Sequence, residues 1–419
     1  MKNKILLSVL VTLITFAVKA QEEVVNIPNS IFKTYLLGNT GINTNGDTEI
    51  QTIEATAFTG TIDVTNLGIS DLTGIEAFTS LTELKARSNN LTSLNVSNNT
   101  ALTLLDCGYN DLTSLEVSNN TALTELQCSQ NDLSFLDVSN NTVLTKLNAQ
   151  SNNLTSLDVS NNIALIELNC SYNQLISLDV STNKALKFLN FRNNQISYLN
   201  VDTNTALTSL SIAFNQISSL DISQNLSLNY LSCNNNQLTS VDVSNNIALQ
   251  KLACGNNQIT SIDVSGNSAL FYLACFNNQL TSLNIANGNN NNFTTLNTTG
   301  NSELECIQVD DEDYSNANWT GGTFTKDASS TFSDYCDFLN IDFPVYTQSK
   351  LIVYPNPTNG IVHFSENTNV KVINALGQII AEKRNTNSFD FSHQPSNIYF
   401  IILTDNLGKT SQVNKIVKQ

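Results

Sequence analysis

From Leu81 onward, apolar residues return at fixed places in a period of 21 residues. Successive copies begin at Leu81, Leu102, Leu123, Leu144, Leu165, Leu186, Leu207, Leu228, Leu249 and Leu270. Within a copy the motif L-x-x-L-x-C-x-x-N-x-L alternates at period two through its middle, which predicts a short strand with one buried face. The fourth place is Leu from Leu84 to Leu273, and the ninth is Asn from Asn89 to Asn278. Apolar residues spaced this way cannot be buried within one copy, whereas stacked copies make continuous columns and a shared core. The Asn column suits the same stacking. Where the chain turns inward after each strand, an amide can satisfy buried N–H and C=O groups from one rung to the next. No Pro occurs between Pro28 and Pro344, as expected where strands are paired on both sides. Residues 59–80 form a longer repeat that begins the stack, with Ile69, Leu72, Ile75 and Phe78 spaced by three. An eleventh copy, Phe293 to Val309, carries a one-residue insertion near Ser302.

This pattern resembles the leucine-rich-repeat family and covers well over half of the chain. The second half of each copy, L-T-S-L-D-V-S-N-N, repeats the strand motif, as in the nested bacterial variety. The resemblance implies a second extended segment on the back of the solenoid in place of a helix. The expected fold is mainly β: a leucine-rich-repeat solenoid with a parallel sheet, a small helical N-terminal cap and a C-terminal β-sandwich module.

The two ends add further expectations. Lys2 and Lys4, the apolar run Ile5 to Val18 and Val18-Lys19-Ala20 before Gln21 read as a signal peptide over residues 1–20. Residues 21–58 form the N-terminal cap, in which Asn29 to Leu37 predicts a short helix stopped by Gly38. The cap continues into N-T-N-G-D-T-E-I-Q-T-I-E, which resembles an EF-hand calcium loop. Asn43, Asn45, Asp47, Glu49 and Glu54 take its first, third, fifth, seventh and twelfth places. Asn43 instead of Asp and Thr48 instead of Gly depart from that pattern, so the alternatives are a calcium site and an ordinary Asn/Gly turn. No cofactor is otherwise implied.

Six cysteines (Cys107, Cys128, Cys170, Cys233, Cys254 and Cys275) share the sixth place with Ala86, Ala149, Phe191 and Ile212. The apolar substitutes mark a core position, and rungs ~4.8 Å apart are too wide for disulfides, so these read as free packed thiols. Cys306 and Cys336 lie outside the column and flank Trp319, Phe324 and Phe332, so they are expected to bridge and close a C-terminal cap and linker over residues 310–349. The acidic run Asp310 to Asp313 reads as a solvated turn.

The solenoid occupies residues 59–309, and a module of short alternating strands follows over 350–419. It resembles the sorting domain of the type IX secretion system, through Tyr354-Pro355-Asn356-Pro357, Gly360, Val372, Asn374, Gly377, Tyr399 and the final Lys415-Ile416-Val417-Lys418-Gln419. Asn397 departs from the Gly usual before the Tyr. The resemblance implies recognition by an outer-membrane translocon, then removal of the module or its exchange for a surface glycolipid link. The protein is therefore expected to be secreted or held on the outer cell surface, with no membrane-spanning segment.

Composition narrows the function. Charged residues make up 13% of the chain, and the formal net charge is −17, which opposes binding to nucleic acid or anionic lipid. Both histidines, His363 and His393, lie in the sorting module, so His-dependent triads and His-ligated zinc are not available to the solenoid. The fifteenth place makes an acidic column: Glu116, Asp137, Asp158, Asp179, Asp221, Asp242 and Asp263. Neighbours about 5 Å apart repel by ~0.8 kcal/mol in water. Flanking Ser hydroxyls such as Ser156 and Ser160, or bridging calcium, would offset that repulsion. At the outward places of the front strands, early copies offer Glu83, Lys85 and Arg87, and later ones offer Phe188, Phe214, Tyr230, Tyr272 and Phe276. Exposed aromatics on a rigid sheet suit recognition of a protein or glycan partner. The expected function is therefore a binding protein that catalyses nothing, the alternative being a structural component of a surface layer or biofilm.

Overall fold

The computed structural model describes residues 23–337, 352–374, 378–404 and 410–419. The signal peptide expected over residues 1–20 and much of the linker lie outside the described residues. The chain divides into two compact units, one ending at Cys336 and the other beginning at Asp337.

In the first unit each copy contributes a three-residue strand, such as Glu83–Lys85, Leu104–Asp106 and Glu125–Gln127. The strands pair in parallel and in direct register: Leu84 lies beside Leu105, Leu105 beside Leu126, and Leu126 beside Leu147. They form a 13-stranded sheet running from Thr61–Asp63 to Phe324–Thr325. The period sets this outcome. A whole number of turns separates equivalent residues, so each Leu lands on the previous Leu and the column is buried from end to end.

The ninth-place Asn does what the turn requires. Asn131 Nδ2 donates to the carbonyls of Cys107 and Cys128 at 3.1 and 3.2 Å, and its Oδ1 accepts from Leu112 N–H at 3.0 Å. A second ladder stands at the nineteenth place, beyond the sequence expectation. Asn120 Nδ2 donates to the carbonyls of Val96 and Asn99 at 2.9 Å each, and the pattern repeats from Asn99 to Asn267. These side chains are fully buried, and their Oδ1 atoms accept nothing.

This second ladder shapes the back of the solenoid. The extended segment expected there pairs as regular strand only late in the stack, in a four-stranded parallel sheet of Ser261–Asp263, Ser282–Asn284, Cys306–Gln308 and Thr331–Ser333. In earlier copies the back is a succession of turns held by the buried Asn amides.

Both open ends of the stack are covered. At the front, Asn29 caps the helix Ser30–Gly38 by accepting from Ile31 and Phe32 N–H, and Phe32 and Leu36 are buried against the first repeat. A second helix, Thr52–Ala57, follows with a reciprocal Gln51–Glu54 cap. At the far end Cys306 and Cys336 are joined by a disulfide with Cα atoms 5.8 Å apart. Trp319 packs beside them, its ring 5.6, 5.5 and 5.4 Å from those of Phe293, Phe324 and Phe332. The acidic run is exposed, as expected of solvated residues, but it opens a helix where a turn was expected. Asp310 accepts from Gly288 and Asn290 N–H, and Asp311 caps the helix Glu312–Asn318.

The second unit is antiparallel. Where a sandwich of two sheets was expected, the strands form one curled five-stranded sheet. The 14-residue strand Ile361–Asn374 explains the difference. It pairs with Val353–Tyr354 near its start and with Asn397–Thr404 at its end, while Ile379–Asp390 runs along it. Register shifts between His363 and Val370 bend the strand, so one sheet curls over its own core of Val362, Phe364, Val372, Phe391, Tyr399 and Ile401.

Candidate functional site

The solenoid presents a repeated surface on the front sheet. The third and fifth places of each copy flank the buried fourth, so they point outward. Parallel register turns each place into a column. The third-place column reads Glu83, Leu104, Glu125, Lys146, Glu167, Phe188, Ser209, Tyr230, Lys251 and Tyr272. It is charged in its first half and aromatic in its second. Two ion pairs lie in the charged half, Lys85 to Glu83 at 3.2 Å and Lys146 to Glu167 at 3.5 Å.

The fifth-place column is neutral through its middle: Gln127, Asn148, Asn169, Asn190 and Ser211. Asn148 and Asn190 each use Oδ1 to accept an N–H of their own turn, from Gln150 and Arg192, which leaves Nδ2 as a donor at the surface. The two columns bound a shallow cavity of about 430 Å³ lined by Lys146, Glu167, Phe188, Asn190, Ser211 and Tyr230 among others.

Along one margin of this sheet runs a column in left-handed backbone. Every eighth-place residue from Ser88 to Asn277 has φ between +50° and +58°. Asn and Ser tolerate this conformation, but Tyr109, Tyr172 and Phe214 also adopt it, at a cost of roughly 1–2 kcal/mol each. Two of the chain's arginines stack on these rings. Arg87 sits 4.3 Å from the Tyr109 ring centroid, and Arg192 lies 4.8 Å from Phe214 and 5.9 Å from Tyr172. Asp106, beside Arg87 at 3.7 Å, is nevertheless held above the ordinary carboxylate range, chiefly by burial.

Phe188, Tyr230 and Tyr272 thus share one column, and Phe188 is 49% exposed. Phe214 and Phe276 stand apart from it. Phe214 belongs to the left-handed column, and the Phe276 ring lies across Gly255, where a Cβ would come within 2.6 Å of it. Sequence periodicity identified the aromatics but missed the neutral column and the Arg–aromatic stacks. Their signal was present in Arg87 and Arg192, both at the seventh place and each one residue upstream of the eighth-place column.

The calcium-like loop is occupied by its own chain. Glu54 Oε1 accepts from Thr44 N–H, Thr44 Oγ1 and Asn45 N–H, and Oε2 accepts from Gln51 N–H. Asn43 Oδ1 accepts from Gly46 N–H, Asp47 from Glu49 N–H and from the Asn45 and Gln51 amides, and Glu49 pairs with Lys33 at 2.7 Å. In this arrangement each of these carboxylate and amide oxygens accepts from a donor of the chain itself. In the acidic column the Ser two residues downstream matters: Ser160 N–H donates to Asp158 at 2.9 Å. Its hydroxyl and N–H hold the Asp158 carboxyl below the usual range. The six column cysteines are fully buried, and burial pushes the thiols of Cys128, Cys170, Cys233 and Cys275 up to about 12.

In the second unit, the sorting-motif residues meet the end of the chain. Asn356 Nδ2 donates to the Lys415 carbonyl at 2.6 Å, and Val417 N–H donates to Asn356 Oδ1 at 2.9 Å. Tyr354 is exposed with its ring 5.9 Å from that of His363, and Pro355 and Pro357 flank Asn356. At Gly360 a Cβ would approach Ser392 Oγ at 3.1 Å. Tyr399 is buried and donates to the Pro395 carbonyl, and Lys418 lies on the last strand, whereas Gly377 lies outside the described residues.

Residues 352–419 match the family described as the secretion system C-terminal sorting domain. The functional domain of InlJ from Listeria monocytogenes, described as including a cysteine ladder, is similar in structure at 26% identity with a TM-score of 0.62. That match covers 95% of this chain and 100% of InlJ's domain. An internalin, InlF, from the same organism has the same fold at 23% identity and a TM-score of 0.54, covering 70% of this chain and 99% of its own. No curated protein matches the chain. Among the described residues no helix is long and apolar enough to cross a membrane.

Proposed function

We propose that this exported leucine-rich-repeat protein is a binding protein of the outer cell surface or medium, which recognises a partner through its front sheet and catalyses nothing. The sorting domain implies delivery by the type IX export machinery. The observation that carries the binding reading is the aromatic half-column Phe188–Tyr230–Tyr272, whose first two rings border a shallow concavity together with the neutral Asn190 and Ser211. Aromatic rings held by a rigid scaffold lose little conformational entropy on contact, so they serve as anchors.

Alanine at Tyr230 and Tyr272 tests the reading. Both residues stand at outward places, so the fold is retained, and adhesion of the full chain to its target surface is expected to fall about tenfold or more. Unchanged adhesion would instead favour a structural component of a surface layer or biofilm. We read the N-terminal loop as a self-satisfied turn, which predicts the same melting temperature in calcium and in chelator. A rise of several degrees with calcium would restore the cation site.

A further inference from the structure

The aromatic column has a period of its own. Phe188, Ser209, Tyr230, Lys251 and Tyr272 stand on five successive strands in direct register. Rings therefore recur on every second rung, ~9.6 Å apart and ~19 Å from first to last. One rung advances ~4.8 Å, close to the rise of one sugar in an extended β-1,4-linked chain. Such a chain turns over at each sugar, so alternate sugars present the same C–H face. Rings on alternate rungs then meet the same face of every second sugar.

We propose that the front sheet binds a linear, neutral β-1,4-linked glycan laid along the solenoid axis, with Phe188, Tyr230 and Tyr272 stacking on alternate sugars. This rests on the front-sheet reading above and names its ligand class. The chemistry beside the rings matches. Beside the first rings the fifth places carry Asn190 and Ser211, amide and hydroxyl partners for the equatorial hydroxyls at the edge of a sugar ring, while beside the last rings Ser232 is buried and Ala253 and Ala274 leave a small apolar floor. Charge selects within the class. The chain carries −17, and Glu167 borders the first ring of the column, so a polyanionic glycan is repelled. Lys251 stands between the two tyrosines with its ammonium 5.7 Å from the Phe271 ring centroid, beside the column.

Titration calorimetry of the full chain with cellohexaose and chitohexaose, against the α-linked maltohexaose, tests the proposal. Binding of at least one β-linked hexasaccharide is expected, about tenfold tighter than maltohexaose, with affinity rising from disaccharide to hexasaccharide and little thereafter. Tyr230→Ala removes the central ring and is expected to weaken binding about tenfold or more, whereas Tyr230→Phe keeps the stacking surface and most of the affinity. Equal or absent binding of all three hexasaccharides overturns the glycan assignment. If adhesion is still lost in Tyr230→Ala in that case, the front sheet recognises a protein and the broader reading survives. If adhesion is also unchanged, both fail.

Discussion

Asn152→Ala tests how the stack is held. Asn152 is buried, and its Oδ1 accepts from Leu133 N–H at 3.1 Å. Its Nδ2 donates to the carbonyls of Cys128 and Ala149 at 3.0 and 3.2 Å. The loss is uneven. Cys128 O keeps its bond from Asn131, and Ala149 O keeps its bond from Asn173, so neither carbonyl is orphaned. Leu133 N–H loses its acceptor and stays buried, at a cost of roughly 1–3 kcal/mol, and two weakened carbonyl contacts add about 0.5–1 kcal/mol. The expected total is about 1.5–4 kcal/mol. Urea denaturation followed by circular dichroism measures it, and hydrogen exchange at Leu133 locates it. Asn153→Ala is the control: that side chain is exposed and makes two long bonds, donating to Asp132 at 3.4 Å and accepting from Gln174 at 3.5 Å, so about 0.5 kcal/mol or less is expected. Equal effects at the two sites would refute the ladder as the source of stability.

Other consequences are independent of that ladder. The six column thiols are expected to resist a thiol-reactive probe at pH 8 in the folded protein and to react fully in denaturant, since burial raises them far above that pH; labelling of the native chain would place them at the surface. Acid should destabilise the solenoid. Glu116, Asp137, Asp158, Asp179, Asp221 and Asp242 are each lowered by the downstream Ser, so their contribution is complete above the unfolded value near pH 4 and is lost as pH falls through the lower folded values. Asp106 is raised by burial and opposes this trend. A urea midpoint that rises between about pH 4 and pH 2 would contradict the Ser–carboxylate assignment. Asn356→Ala cuts both bonds between the motif and the last strand, so less of the chain should reach the cell exterior on fractionation; unchanged export would show that the clamp is dispensable for sorting.

The solenoid was legible because its signal is repeated. Leu and the ninth-place Asn return in every copy and Cys in six of the ten, and one register explains all of them. The nineteenth-place Asn recurs from Asn99 to Asn267, but it follows exposed polar residues or Gly, often as S-N-N, so composition alone makes it resemble a solvated turn. Burial decides the matter, and burial depends on the coil's path. At Asp310 it was distance in sequence that hid the role, since its partners at Gly288 and Asn290 are a full turn away. The N-terminal loop shows the converse. Its residue types resemble a calcium loop, and spacing alone did not show the chain's own donors that meet those oxygens, Lys33 at Glu49 and the backbone of Thr44 and Asn45 at Glu54. The aromatic column was visible residue by residue, but its two-rung spacing emerged only once each strand's register was known.

Hydroxyl-radical footprinting of the full chain, free and bound to its target surface, reads the front sheet itself. Oxidation of Phe188, Tyr230 and Tyr272 should fall on binding, while Phe135 and Tyr198, exposed at 65% and 67% on the turns behind the sheet, should be oxidised as before. Protection of Phe135 and Tyr198 with the front column still open would put the recognition surface on the opposite side of the solenoid.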